Sequence, residues 1–478
     1  MAAEQASDTA VSGHAAPLEA GRIVDGFLLE QRVHQGGMAN LWSVSHEAHP
    51  GPLLMKVPRL RPGEDPATIV GFEVEQMILP TLHGPHVPGF VARGDFARQP
   101  YIVMERIAGP SLAPRADDAP LAFDEVVEIG ARVAAAIHDV HRQHVVHLDV
   151  KPENILFRAD GSAVLIDYGL SRHDALPDLL AEEFRQPMGS WPYIAPEQVA
   201  FVRDDPRSDL FALGVMLYQF TTGELPFGEP TSMRALRRRL HVDPTPPRAL
   251  RADCPPWLQE LILKCLEVDP ARRFQTAAQL AIALEDPRQL PLTARAQRRL
   301  ASSWLARLRR RYFNWGQPAP AVHGARAQVV RSPIILAAVD LSDAEAELAA
   351  QVREMVRRVL LTEPGARLAC VSVLKTGLLT LDDYEDAAGG NRQVKQLAAL
   401  KHWARPISKL LNLDDGRLTF HVLESTDPAA ALIEFAQRNG VDQIVMGARG
   451  QSAMRRYLGS VSSQVVAQAP CTVTVVRV

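Results

Sequence analysis

The chain lacks most of the features that would assign it to a specialised class. Cysteine is rare: Cys254, Cys265, Cys370 and Cys471 are the only four in 478 residues, and they show no metal-ligand spacing. Each lies in an apolar context, which predicts buried thiols in a reducing compartment and argues against a disulfide scaffold. No apolar run reaches 18 residues, so no spanning helix is expected. The amino terminus, MAAEQASDTAVSGHAAPLEA, has no basic start and no apolar core, so it does not read as a secretory leader. Residues 1–21 are expected to be a flexible tail. Charge of one sign is also missing. The net charge is −3, which gives no global reason to expect a nucleic-acid partner. The expected location is the cytoplasm.

What is present fits a multidomain globular protein, with 47% hydrophobic and 22% charged residues. The stretch His147–Gly169, HLDVKPENILFRADGSAVLIDYG, is the most informative. NILF and AVLI are apolar runs flanking Arg158-Ala159-Asp160-Gly161-Ser162, a strong hairpin signal. The ribbon would carry Asp149 and Asn154 before it and Asp167 after it. Two carboxylates and an amide at the ends of a rigid hairpin can hold a divalent metal and orient a hydroxyl, which is most of what phosphoryl transfer asks of a protein. The plainer alternative is a surface hairpin with solvated acids.

Residues 22–60 alternate as strands around His34-Gln35-Gly36-Gly37-Met38-Ala39, a glycine-containing hairpin whose backbone can approach phosphates. Lys56 sits among apolar neighbours in LLMKV and needs a partner. Glu75 lies on the following segment, where Val70, Val74, Met77, Ile78 and Leu82 recur at helical spacing, and can supply it. A buried strand is expected within 101–112. A helix is expected over 124–141, with Val127, Ile129, Val133, Ile137 and Val140 inward.

The order of these motifs, with Asp167-Tyr168-Gly169 and Ala195-Pro196-Glu197 after them, resembles the bacterial eukaryotic-type serine/threonine protein kinases over residues 22–290. The resemblance implies a bilobal α+β protein kinase fold, ATP with Mg²⁺ (or Mn²⁺), and protein substrates. It implies that Lys56, paired with Glu75, contacts phosphates, and that Gly36 and Gly37 lie over them. Asp149 would take the substrate hydroxyl proton and Lys151 would steady the γ-phosphate. Asn154 and Asp167 would ligate the metal. Met104 would stand as gatekeeper, with the backbone of Glu105 and Ile107 on the adenine edge, Leu156 below the ring and Leu41 above it. Asp209, in SDLFALGVMLY, would brace the catalytic loop, and Arg273 would pair with Glu197. Without turnover, the same fold would be a nucleotide-binding scaffold acting through partner contacts.

The chain departs from the family pattern at several positions. His34 and Ala39 replace loop glycines, Leu54 stands where a small residue is usual, and Tyr168 replaces phenylalanine. Leu148 occupies the place of an arginine that reads a phosphate on the activation loop, and from Leu170 to Gly189 the only hydroxyl residue is Ser171.

Residues 291–328 form a basic, amphipathic linker. Its 294–316 portion carries seven arginines and no acid, and is expected as a docked or solvated helix. Contact with a membrane surface is the less favoured alternative. Residues 329–478 alternate strand and helix, which implies an α/β doubly wound parallel sheet. Gly447-Ala448-Arg449-Gly450 and Gly459-Ser460-Val461-Ser462 resemble the nucleotide loop of the universal stress protein family, with one residue fewer between the glycine pairs than the family's pattern. That resemblance implies adenosine contact by Asp340 and phosphate contact by Gly447, Gly450, Gly459, Ser460 and Ser462. It also implies ATP or AMP as ligand and allows a homodimer.

The missing arginine and the hydroxyl-poor loop predict turnover independent of loop phosphorylation. Phosphatase-treated protein should keep its rate, and loss of activity after treatment would contradict this reading.

Overall fold

The structure, a computed structural model, describes residues 18–36, 38–60, 65–96, 98–300, 332–341, 346–363, 365–375, 391–413, 416–448 and 460–477. The amino-terminal lobe is a six-stranded antiparallel sheet. Its order is Ile23–Val24, Phe27–Gln35, Ala39–His46, His49–Pro58, Ile102–Glu105, Phe90–Arg93. Strand alternation gives this sheet two faces. Trp42, Val44, Leu53, Met55, Val57 and Val103 close a small core on one. Leu41, opposite Lys56, and Leu54, opposite Met104, fall on the other with the lysine.

The helix Pro66–Ile78 starts on an Asp65 cap, whose carboxylate accepts from the Ala67 amide at 2.9 Å. An ordinary surface helix buries one stripe. Here eight consecutive residues, Ile69 to Gln76, are all buried. The sheet and carboxy-terminal lobe cover one side, and the carboxy-terminal domain covers the other. Glu73 is buried against Lys401 of that domain, and Gln76 is buried on the lobe's own backbone, where its Nε2 donates to the Gly94 and Tyr101 carbonyls at 2.9 and 3.1 Å.

The second lobe is helical, built on Phe123–Arg142, Arg207–Thr222, Pro256–Cys265 and Ala277–Glu285. The first of these buries Val126, Ile129, Val133, Ile137 and Val140; Val127, expected inward, is only partly buried. The segment after residue 290 does not begin as an α-helix. Ala294–Gln297 is a single 3₁₀ turn docked on this lobe, where Arg295 pairs with Glu260 at 3.0 Å and Glu267 at 2.7 Å. Residues 301–331, which hold most of the expected basic helix, lie outside the described residues. No described helix is long and apolar enough to cross a membrane.

The carboxy-terminal domain is a five-stranded parallel sheet in the order Leu418–Ser425, Arg367–Lys375, Ile334–Ala338, Gln443–Gly447, Thr472–Val476. Helices Ala346–Thr362 and Arg392–Leu411 cover one face, and Pro428–Asn439 and Ser460–Gln468 the other. The sheet is doubly wound, as the alternation of elements implied.

The edge strand Leu418–Ser425 faces the first domain. Leu397 and Val422 belong to the same apolar cluster as Val70, Val74 and Leu180. Polar groups lock this contact onto a short helix, Leu179–Glu183. His421 is fully buried, with Nδ1 2.9 Å from Glu183 and Nε2 3.1 Å from Glu182 and 3.0 Å from the Thr419 hydroxyl. Its ring packs on Phe435. Arg367 Nη1 donates to Glu182 at 2.6 Å, and Arg438 donates to the Glu182 and Glu183 carbonyls at 3.4 and 3.1 Å. Lys401 pairs with Glu73 and lies over the rings of Phe96 and Phe420.

Burial alone would lower the His421 pKa, but the two carboxylates reverse that and hold it at about 9. A raised pKa means the imidazolium stabilises the fold fully below the free-histidine value near ~6.5 and loses that contribution as pH climbs through about 9. The melting temperature should therefore fall between pH 6.5 and 9.5, and fall less steeply in Glu182→Gln/Glu183→Gln. Equal slopes for the two proteins would contradict the assignment.

Candidate active site

The site lies where the sheet, the Pro66–Ile78 helix and the hairpin meet. The hairpin forms as its sequence suggested: Ile155–Phe157 pairs antiparallel with Ala163–Leu165. Asp160 accepts from the Ser162 amide at 2.8 Å, and Gly161, at φ +84°, makes the left-handed step. The Ile166 amide donates to the Asn154 carbonyl at 3.0 Å, which brings Asp167 beside Asn154.

Lys56 Nζ lies 2.6 Å from Glu75 and 2.8 Å from Asp167. Burial opposes the charge on Lys56, yet the two carboxylates more than offset it and raise the pKa. The Lys56 ammonium in turn holds the Asp167 carboxyl at about 2. Asp167 takes a left-handed φ of +66°, a strained position for a non-glycine residue that its surroundings fix.

Asp149 is oriented from three sides. Its Oδ1 accepts from the Ser190 amide at 2.8 Å, and its Oδ2 accepts from Asn154 Nδ2 at 3.0 Å and lies 2.9 Å from Lys151 Nζ. Lys151 also donates to the Ser190 hydroxyl at 2.7 Å. Asn154 Nδ2 also donates to the Asp149 carbonyl at 3.0 Å, leaving its amide oxygen as the acceptor end. That oxygen and the half-exposed Asp167 carboxylate are hard donors of the kind Mg²⁺ or Mn²⁺ takes. No group of three or more metal-binding His, Cys, Asp or Glu side chains occurs among the described residues. The pair therefore fits an ion that keeps waters and phosphate oxygens in its other positions.

Below the site, Asp209 accepts from the backbone amides of His147 and Leu148, both at 2.8 Å, and from His141 at 2.8 Å. Leu148, at φ +63°, is buried, and its carbonyl accepts from Gln198 at 2.9 Å. Ser171 is buried and donates to the His147 carbonyl at 3.0 Å. The Tyr168 ring packs 5.0 Å from His147, and its hydroxyl is buried with no hydrogen-bond partner among the described residues. Glu197 receives both arms of Arg273, at 2.7 and 2.8 Å, and the Ser208 hydroxyl at 2.7 Å.

Of the remaining expected residues, Leu41, Leu54 and Met104 share the Lys56 face, and the Leu156 backbone pairs with Ser111 of the connector. Glu105 ends its strand, with its amide on the Gly89 carbonyl at 2.7 Å and its carboxylate on Arg158 at 2.8 Å. Ile107 follows in the connector. Gly36 closes its turn by donating to the Ala39 carbonyl at 3.0 Å, and Arg59 donates to the Gly36 carbonyl at 2.7 Å. Gly37 lies outside the described residues.

The second set is brought together only in part. Asp340 follows Ile334–Ala338, and Gly447 ends the neighbouring strand, on either side of the point where the strand order reverses. Ser460 opens a helix, on which Ser462 is buried. Gly450 and Gly459 lie outside the described residues.

Two features were missed in the sequence. Arg239, 1% exposed, donates to the carbonyls of Trp191 at 2.6 Å and of Ile194, fixing the segment before Ala195. Burial lowers its pKa to about 10. Its sequence signal, an arginine triplet at 237–239, reads as surface charge. The Glu182–His421 contact carries no local signal at all.

The sequence model of the protein kinase domain family matches residues 36–283, and that of the universal stress protein family matches 333–477. Serine/threonine-protein kinase PknL of Mycobacterium bovis and of Mycobacterium tuberculosis are each 30% identical over 270 residues, 56% of this chain and 67% of theirs. A probable serine/threonine-protein kinase of Clostridium perfringens is 30% identical over 221 residues, 46% of this chain and 32% of that protein. The crystal structure of the Mycobacterium tuberculosis PknI kinase domain overlays with a TM-score of 0.45 at 25% identity, covering 56% of this chain and 99% of that one.

Asp209→Ala would strand two buried amides and His141. It should cost about 3–5 kcal/mol of stability in chemical denaturation. A loss below about 1 kcal/mol would mean water replaces the carboxylate.

Proposed function

Because the chain belongs to the protein kinase family, we propose that it transfers the γ-phosphoryl group of ATP to serine or threonine hydroxyls of protein substrates. The convergence of Lys56, Glu75 and Asp167 beside an Asp149 held by Asn154, Lys151 and Ser190 carries this reading. The family implies ATP and a divalent metal, and the two hard oxygens favour Mg²⁺, with Mn²⁺ able to substitute. When bound, the metal would neutralise phosphate charge.

The chain's own groups do the rest. Lys56, kept protonated by its two carboxylates, offers a fixed cation to phosphate oxygens. Asp149 orients the substrate hydroxyl and receives its proton as the oxygen bonds to the γ-phosphorus. The bond from that phosphorus to the β-phosphate bridging oxygen breaks, and ADP leaves. Lys151, between Asp149 and Ser190, is placed to follow the transferring charge.

Three finer assignments belong to this proposal. Activity does not require a phosphate on the activation segment, because Leu148 is buried and Ser171, buried on the His147 carbonyl, is not available for modification. The carboxy-terminal domain takes ATP or AMP at the carboxyl ends of the strands bearing Asp340 and Gly447. The four free cysteines fit a cytoplasmic setting.

Label from γ-labelled ATP should enter the protein itself or a generic substrate. Asp149→Asn should lower the rate by about 10²–10⁴-fold. Wild type indistinguishable from Asp149→Asn would leave the scaffold reading in its place.

A further inference from the structure

The activation segment between Asp167 and Glu197 has no phosphate acceptor facing solvent in its first half, yet it is held at every turn. Arg203 ties Asp178 at 2.9 Å and the Leu170 carbonyl at 3.0 Å. Asp178 caps the helix Leu179–Glu183 through the Ala181 amide. The far side of that helix belongs to the carboxy-terminal domain. Glu182 and Glu183 meet Arg367 and His421, and Arg438 donates to the last carbonyls of the helix.

The same domain grips the helix that carries Glu75. Lys401 reaches Glu73, two residues from Glu75, while Glu75 points the other way to Lys56. This helix lies directly on the turn that presents Asp167: a Cβ on Gly71 would stand 3.0 Å from the Gly169 carbonyl oxygen. Backbones packed this closely move together. A shift of the helix away from the second domain therefore displaces Glu75 and the Asp167 turn at once.

We propose that Lys401, Arg367 and His421 are positioning residues for phosphoryl transfer, through which the carboxy-terminal domain holds the Glu75 helix and the activation segment in the geometry the reaction needs. None of the three touches the reacting atoms. They act through Glu73, Glu182 and Glu183. The inference rests on the kinase reading above, and it makes the second domain part of the working enzyme in cis. A ligand in that domain could reach the active site only by favouring or opposing this contact.

The Glu73–Lys401 pair gives the cleanest test, because Lys401 is partly exposed and makes no direct contact with His421, Glu182 or Glu183. In the full chain, Lys401→Met keeps the stem over Phe96 and Phe420 but removes the charge. It should lower kcat about tenfold, within the usual range for coupling between sites, with KM for ATP moving far less. Lys401→Arg should stay near wild type. Glu73→Lys should be poor, and Glu73→Lys/Lys401→Glu should recover most of the loss. Hydrogen exchange should rise in 66–78 and 167–190 in Lys401→Met well beyond any rise in the rest of the chain, which a general loss of stability would not produce. Arg367→Met should repeat the kcat effect.

Lys401→Met and Arg367→Met both within twofold of wild-type kcat, or exchange unchanged in those two segments, would overturn the inference. A wild type as inactive as Asp149→Asn would instead sink the kinase reading.

Discussion

The buried contact of Lys56 with Glu75 and Asp167 is the constraint around which the first domain is arranged. Three charged groups come from a strand, a helix and a turn that the chain must bring within hydrogen-bond distance. Removing one partner from such a cluster leaves a desolvated charge and typically costs about 3–5 kcal/mol. The surrounding fold keeps them together. Strand alternation puts Lys56 on the sheet face opposite the small apolar core. The hairpin fixes Asp167 next to Asn154. Gly71 and Gly169 let the helix backbone touch the turn, where any side chain would force them apart.

The helix bearing Glu75 has no solvent side along most of its length, and this sets the relation between the two domains. Its eight-residue buried run is explained only when the edge strand Leu418–Ser425 and the Arg392–Leu411 helix are counted as part of its environment. The activation segment is organised in the same way. One end is fixed by Arg203 and the buried Ser171, the other by Glu197–Arg273 and Arg239. The middle is fixed by the acidic pair on His421 and Arg367. These anchors should order the segment without a phosphate.

The parts of this arrangement that the sequence displayed are the local ones. Asp160-Gly161 announced its hairpin because turn chemistry is set by adjacent residues. The alternation of apolar strands and helices announced the doubly wound sheet. Lys56 announced a need for a partner because an isolated buried lysine is untenable. What stayed hidden depends on distant packing. Glu182 and His421 are separated by most of the second half of the chain, and neither stands in a pattern that names the other. Glu73 is a buried acid whose partner, Lys401, lies in the second domain. Val126 is buried in place of Val127 because it lies one turn before Gly130, on the side that packs against Leu217 and Leu284. Arg239 looked like surface charge because its partners are backbone carbonyls, which leave no trace in side-chain pattern.

The full chain should hold its phosphoryl-transfer site complete without any phosphate on the activation segment. A crystal structure of the phosphatase-treated full-length protein with a non-hydrolysable ATP analogue and magnesium tests it most directly. Magnesium should sit on Asn154 and Asp167, with Lys56 still within hydrogen-bond reach of Glu75 and with Glu182 and Glu183 still on Arg367 and His421. A structure with the Glu75 helix swung away from Lys56, or with the activation segment released from the second domain while the nucleotide is bound, would contradict it.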